Sequence, residues 1–202
     1  MTQTVAGPDG LPRCRWCSAT PSFIPYHDQE WGFPVADDRR LFEKICLEGF
    51  QSGLSWRTIL DKRPRFREVF AGFDFEAVAD YGEADVQRLL ADPGIVRHRG
   101  KIEAVIHNAA RAKDLVQECG SLAAFFWRYE SDQRDVPPTE LVATTPGSIA
   151  LSKALRQRGW KFVGPTTAYA FMQAMGLVND HAAECVTRAH VAAARARFKP
   201  PT

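Results

Sequence analysis

Long apolar runs are missing from this chain of 202 residues, since no uncharged hydrophobic stretch approaches the ~20 residues that a membrane-spanning helix needs. The opening segment, Met1 to Trp16, carries no apolar run of the kind found in a secretory signal, which predicts a cytoplasmic protein. Cysteine is scarce and odd in number. Five cysteines without such a signal argue against a disulfide framework and leave free thiols or metal ligands as explanations. Alternating strand-like runs are almost absent, and internal repeats and low-complexity segments are not found. A strong charge of either sign is lacking too. The formal net charge of +2 neither demands nor excludes a polyanionic partner, so the placement of charge has to decide.

What the chain does have is helical periodicity. Hydrophobic residues at 45% and charged residues at 25% match ordinary folded domains and exclude a disordered chain. Apolar positions recur at helical spacing over 38–48, 54–62, 74–81, 83–91, 100–118, 121–130, 148–158, 166–175 and 181–197, which predicts an all-α fold. Asp38, Asp74 and Ser148 are the expected N-caps, and Gly120, Gly159 and Gly176 fall where helices should stop. Residues 1–13, rich in Gly, Pro and polar side chains, are expected to be a flexible leader, and 198–202 a tail. Residues 14–197 would then form one domain, large enough to be built as two lobes, with a surface loop at 131–147.

Four groups of residues carry chemistry. On a helix starting near Asp38, Leu41, Ile45 and Glu48 stand at i, i+4 and i+7, so Glu48 shares the apolar stripe. An inward carboxylate is matched by a donor, kept neutral or retained for function; a plain helix-end contact near Gly49 is the alternative. Around it the aromatics are dense. Trp16, Phe23, Tyr26, Trp31, Phe33, Phe50 and Trp56 could stack a nucleobase or simply fill a core.

The third group is Cys14, Cys17, His27, His181 and Cys185. His181 and Cys185, at i and i+4, are expected on one helix face; Cys14 or Cys17 would join them with His27. Closing four positions with protein donors would make such a metal structural. The fourth group is basic. Arg97, His98, Arg99 and Lys101 lie close together, and Lys153, Arg156, Arg158 and Lys161 lead into Trp160-Lys161-Phe162-Val163-Gly164-Pro165-Thr166-Thr167. That segment reads as a tight hairpin between two helices. Its helix-start N–H groups, with Lys161, Gly164, Thr166 and Thr167, suit one DNA phosphate.

Together these residues resemble the bacterial 3-methyladenine DNA glycosylase I family, a branch of the helix-hairpin-helix glycosylases, over roughly residues 13 to 186. The resemblance is carried by Arg13-Cys14-x-Trp16, Tyr26-His27-Asp28-x-Glu30-Trp31-Gly32, Leu41-Phe42-Glu43-x-Ile45-Cys46-Leu47-Glu48-Gly49 and Gln51-x-Gly53-Leu54-Ser55-Trp56. It continues through Gly94-Ile95-Val96-Arg97-His98-Arg99-Gly100-Lys101-Ile102, Lys161-Phe162-Val163-Gly164 and Gly176-Leu177-Val178-Asn179-Asp180-His181.

The resemblance implies a monomeric enzyme on double-stranded DNA that removes 3-methyladenine by hydrolysis without strand cleavage. It implies that Glu48 contacts the damaged base, that Tyr26 and Trp56 wall the pocket, and that Trp31 lies near it. Phe23 stands where some relatives carry tyrosine. Gly53 and Leu54 match a loop pushed into the DNA stack. One structural zinc on Cys14, His27, His181 and Cys185 is implied, with Cys17 an extra thiol. Asn179 stands where many helix-hairpin-helix glycosylases place a catalytic aspartate, and the 3-methyladenine branch lacks that aspartate. A zinc-stabilised DNA-binding module without catalysis, or a zinc hydrolase, would use the same residues differently.

Overall fold

The computed structural model of the protein describes residues 3–130 and 142–202, so most of the loop expected at 131–147 lies outside the described residues. Among the described residues ten α-helices follow one another: α1 Phe23–Gln29, α2 Asp38–Gln51, α3 Trp56–Val69, α4 Phe75–Val78, α5 Glu83–Ala91, α6 Arg99–Cys119, α7 Leu122–Phe126, α8 Pro146–Gln157, α9 Pro165–Ala174 and α10 Val186–Arg197. Among these residues the fold is all-α apart from a small antiparallel pair, β1 (Thr4–Ala6) and β2 (Pro12–Cys14).

The middle of the molecule is α2, packed against α3, α6, α7 and α9. Every residue from Leu41 to Phe50 is buried, the condition under which a helix must satisfy its polar side chains internally. Glu43 does so through a paired contact with Arg67 on α3 (3.0 Å). Phenylalanine dominates the surrounding core, with Phe42, Phe50, Phe66, Phe70, Phe125, Phe126 and Phe171 fully enclosed. Glu48 lies in the last turn of α2, which runs through Gly49 to Gln51, and its partner is the Lys44 side chain and not a helix-end N–H.

The helix ends follow local chemistry. Asp74 caps α4 as expected, through the Glu76 N–H. Two other caps shift. Asp37, in extended conformation, accepts from the Arg40 N–H to start α2, which frees Asp38 to accept from the Leu122 and Ala123 N–H groups at 3.0 and 2.9 Å. Asp38 therefore caps α7, a long-range role that periodicity cannot reveal. Likewise Thr145 caps α8 while Ser148 is its capping-box partner. Helix α3 runs past Pro64, well beyond the end expected at 62.

Three further expectations change. The segment expected as an unpatterned leader forms the β1–β2 hairpin, closed by a turn at Gly7–Gly10 and tied down by Arg13, whose guanidinium bonds Asp9 and Asp28. Helix α1 lies where no helical period was evident. The last helix begins at Val186, not at 181: residues 181–185 are a turn closed by Cys185 N–H to the Ala182 carbonyl. His181 and Cys185 thus do not share a helix face, and the turn itself brings them together.

Gly120, Gly159 and Gly176 all have positive φ after their helices. At Gly176 a Cβ would stand 2.6 Å from the Phe33 and Pro34 backbone, so only glycine lets the end of α9 meet the strand of chain after α1. That approach, held by Val35 N–H to the Met175 carbonyl, carries the C-terminal segment to the N-terminal one.

Candidate active site and metal centre

The two ends of the domain meet at Cys14 on β2, His27 on α1, and His181 and Cys185 around the turn before α10. All four are buried, with one donor atom each within 4.8 Å of the others. Cys14 Sγ is 3.7 Å from His181 Nδ1, and Cys185 Sγ is 3.4 Å from His27 Nε2 and 3.5 Å from His181 Nδ1.

The outer contacts fix the tautomers. His27 Nδ1 is 2.7 Å from an Asp28 oxygen. Burial would raise the Asp28 carboxyl, but hydrogen bonds from Arg13 and His27 outweigh it and hold it below the usual range. His181 Nε2 is 3.0 Å from the Trp31 carbonyl. Both partners only accept, so the ring N–H groups point outward. The lone pairs of His27 Nε2 and His181 Nδ1 then face each other across 3.1 Å beside the Cys185 sulfur, a repulsion that a thiol proton or a bound cation would relieve. Tetrahedral coordination with Zn–S and Zn–N bonds of ordinary length has donor-to-donor edges of about 3.3–3.8 Å; the three sulfur–nitrogen distances of 3.4, 3.5 and 3.7 Å fall in that range and the nitrogen–nitrogen distance of 3.1 Å is slightly shorter. Gly32 leaves room for the outer edge of the His181 ring, since a Cβ there would stand 3.1 Å from His181 Nε2. Cys17 is buried but outside this cluster, and burial pushes its thiol up to about 11.

One residue earlier on α1, Tyr26 faces the other way. It belongs to an aromatic cluster with Phe23, Leu60, Trp16, Trp31 and Trp56. Trp16 packs edge-on against Phe23, Tyr26, His27 and Trp31, so it joins the metal corner to the aromatic wall. Trp31 leans on His181 at a centroid distance of 4.7 Å, nearer the metal corner than the pocket. Tyr26 and Trp56 stand 5.4 Å apart.

Glu48 is brought to this wall from α2, and only 5% of it is exposed. Its partner is Lys44, one turn earlier, whose Nζ lies 2.7 Å from Glu48 Oε1. The same ammonium donates to the Tyr26 hydroxyl at 2.8 Å and sits 3.4 Å above the Trp56 ring centroid. Burial pushes the Lys44 amine down while Glu48 pulls it back. Burial, then the charge of Glu48, pushes the Tyr26 hydroxyl well up. Sequence reasoning missed Lys44, although its i,i+4 spacing to Glu48 was a legible signal. It also missed Arg63, which grips Glu30 with two bonds of 2.6 and 2.8 Å behind Tyr26.

The remaining predicted residues form a rim. Between α2 and α3 the chain turns at Gly53, with Leu54 43% exposed at the tip. Lys101 holds this turn from α6 by donating to the Phe50 and Ser52 carbonyls at 2.9 and 2.5 Å. Beside it lies the α8–α9 hairpin. Asn108 bonds both the carbonyl and the N–H of Lys161, and Ser152 bonds the Val163 carbonyl. Gly164 caps α9 without a side chain, so the first-turn N–H groups at Thr166 and Thr167 have no capping side chain. Lys161, Thr166, Arg97 and His98 are exposed, and the His98 ring stands 6.5 Å from Phe162; of the other expected basic residues Lys101 is buried, Arg99 pairs with Glu83 and Glu103, and Arg158 pairs with Glu118. Asn179 and Asp180 serve structure: Asn179 donates to the Arg188 carbonyl, and Asp180 accepts from Tyr169 and Gln173.

Known proteins match this arrangement over most of the chain. A family model described as methyladenine glycosylase matches residues 16–189. DNA-3-methyladenine glycosylase 1 of Escherichia coli (strain K12) is 49% identical over 179 residues, 87% of this chain and 96% of that protein. The DNA-3-methyladenine glycosylase of Haemophilus influenzae is 46% identical, with 86% and 96% covered. Among solved structures, a 3-methyladenine DNA glycosylase I from Staphylococcus aureus, studied for recognition of 3-methyladenine, superimposes with a TM-score of 0.83 at 35% identity, covering 87% of this chain and 96% of that one. The chain belongs to the methyladenine glycosylase family.

Proposed function

We propose that the protein is a base-excision repair enzyme that hydrolyses the N-glycosidic bond of 3-methyladenine in double-stranded alkylated DNA. The observation that carries this reading is a carboxylate, Glu48, buried at the floor of a wall formed by Tyr26 and Trp56 beside an exposed hairpin suited to phosphate. Family membership agrees with it.

Methylation at N3 makes the base a cation, so the C1′–N9 bond breaks toward an oxocarbenium-like state without a strong general acid. The electron pair of that bond passes to N9, the base leaves neutral, and water adds at C1′ with loss of a proton to solvent. The protein's work is to bind and orient. Lys161, the N–H groups at Gly164, Thr166 and Thr167, and the nearby basic residues hold backbone phosphate. Leu54, on the turn at Gly53, fills the stack when the base leaves it. Tyr26 and Trp56 wall the base, with Phe23 and Trp31 behind them, and Glu48 accepts hydrogen bonds from its edge and complements its charge. Phe23 supplies no hydroxyl.

Hydrolysis without strand cleavage fits the same geometry. Lys44, the amine nearest the pocket, is engaged by Glu48, and an ammonium has no lone pair with which to attack C1′. The metal corner is assigned one structural zinc on Cys14, His27, His181 and Cys185. Four protein donors leave no open position, so the ion supplies cross-linking of the chain's ends and not a reactive water. The enzyme works as a monomer in the cytoplasm, as one domain whose two helical lobes flank the pocket; among the described residues no helix is long and apolar enough to cross a membrane.

The test is chromatography of bases released from methylated duplex DNA, run beside a strand-break assay. Release of 3-methyladenine with intact strands is expected. Binding without release would favour a DNA-binding module, and loss of release on metal exchange with the fold intact would favour a zinc hydrolase.

A further inference from the structure

Three of the groups expected to recognise a cationic base, Glu48, Tyr26 and Trp56, are already engaged by one side chain. The Lys44 ammonium pairs with Glu48, donates to Tyr26 and covers the Trp56 face, and Lys44 is only 5% exposed. These contacts come from three elements: Glu48 on its own helix, Tyr26 on α1 and Trp56 on α3. The other charged groups nearby, Glu30 just past α1 and Arg63 on α3, are bonded to each other. Resting on the glycosylase reading above, we propose that Lys44 is a built-in occupant of the base pocket, which a flipped base must displace, and that it determines specificity by this competition.

The physical reason is an exchange of like for like. A cationic base that replaces the ammonium restores the charge pair with Glu48 and the cation over Trp56. A neutral base restores neither, and it leaves Glu48 without its counter-charge in a buried site. Two cations cannot both occupy the position, since each requires the same carboxylate and the same ring face. Lysine can leave because its unbranched stem can carry the head to water while the methylenes stay against apolar surface. Lys44 thus favours the charged lesion over undamaged bases and weakens retention of the neutral product.

Two experiments decide this. In the wild-type protein, Lys44 should be protected from an amine-acylating reagent read by peptide mass spectrometry. Saturating 3-methyladenine should raise its labelling several-fold while Lys101, bonded to backbone carbonyls, stays protected. In parallel, Lys44→Met should bind neutral 3-methyladenine, followed by tryptophan quenching, at least about tenfold more tightly, because an occupant present about nine-tenths of the time lowers apparent affinity by that factor. Tighter binding by Lys44→Met with no measurable wild-type binding also supports the inference. Unchanged or reduced Lys44 labelling in the saturated wild type, equal or weaker binding by a folded Lys44→Met, or binding by neither protein overturns it; should Lys44→Met not fold, the wild-type labelling alone decides. Base release from methylated DNA is measured on the same preparations. Release with unmoved labelling sinks only the occupant, whereas no release sinks the functional reading and the occupant with it.

Discussion

Tyr26 and His27 are neighbours on α1, yet they face two regions that handle buried polarity in opposite ways. At the metal corner four donors converge, and the two imidazoles turn lone pairs toward each other across 3.1 Å. Among the described residues only the two cysteine sulfurs stand against these lone pairs, at 3.4–3.7 Å. In the pocket a buried carboxylate and two aromatic faces converge as well, but Lys44 brings the positive charge from the same helix. One region could hold a cation from outside; the other carries its own, which on the inference above it can exchange. The difference teaches that burial alone does not mark a binding site. What distinguishes the two is whether the counter-charge is fixed or displaceable.

Breaking the fixed side should have the largest effect. His181→Ala, or prolonged chelation, removes a link between residues near the two ends of the chain, and metal binding energy of this kind is folding energy. A loss of bound metal with a fall in Tm on the order of 10 °C or more is expected. Metal analysis with thermal unfolding checks it, and a His181→Ala protein with full metal would overturn the ligand set.

The rim should respond next. Lys161→Glu places a like charge at the phosphate site, so affinity for undamaged duplex should fall roughly tenfold and the salt slope by about 1. Titrations at several salt concentrations measure both, and an unchanged slope would remove the hairpin from the DNA interface.

Behind the pocket the Glu30–Arg63 pair offers a smaller, pH-dependent test. Burial raises the Glu30 carboxyl, but the bonds from Arg63 more than offset this and hold it below its ordinary 4.5. A depressed carboxyl stabilises the fold above its unfolded pKa and loses that contribution as pH falls through the folded value. Glu30→Gln should therefore cost about 1–3 kcal/mol at pH 7, between exposed and fully buried pairs, and the deficit should shrink below pH ~4.5. Denaturant unfolding at both pH values measures it. The smallest effect is assigned to Cys17→Ser, which should leave metal content and Tm nearly unchanged; loss of the metal would put Cys17 among the ligands.

Much of the fold was legible because long helices advertise their period. Helix α5 matches its expected bounds, and α6 differs by one residue at each end. What escaped was set by short-range or distant chemistry. The β1–β2 hairpin is too short for a pattern, although Pro8-Asp9-Gly10 is turn chemistry. Helix α1 has seven residues with Pro25 inside, too few to show a period. Asp38 was placed as a cap for its own helix, while its carboxylate caps α7, 84 residues away. The metal corner was legible as residue types, and its geometry was not: His181 and Cys185 meet through a turn where a helix face was expected. The inward placement of Glu48 was legible through the stripe of Leu41 and Ile45, but the stripe says nothing of Lys44, a lysine buried against a carboxylate and two aromatic rings.

The central claim is that Glu48 recognises the flipped base. A hydrogen bond to a charged group is worth about 1.5–3 kcal/mol, so losing it should slow excision roughly ten- to a hundredfold. The direct measurement is single-turnover release of 3-methyladenine from methylated duplex by wild type, Glu48→Gln and Glu48→Ala, with metal content and binding to undamaged DNA determined on the same proteins. The account predicts slow release by both variants with metal and DNA binding intact; release by both at the wild-type rate would contradict it.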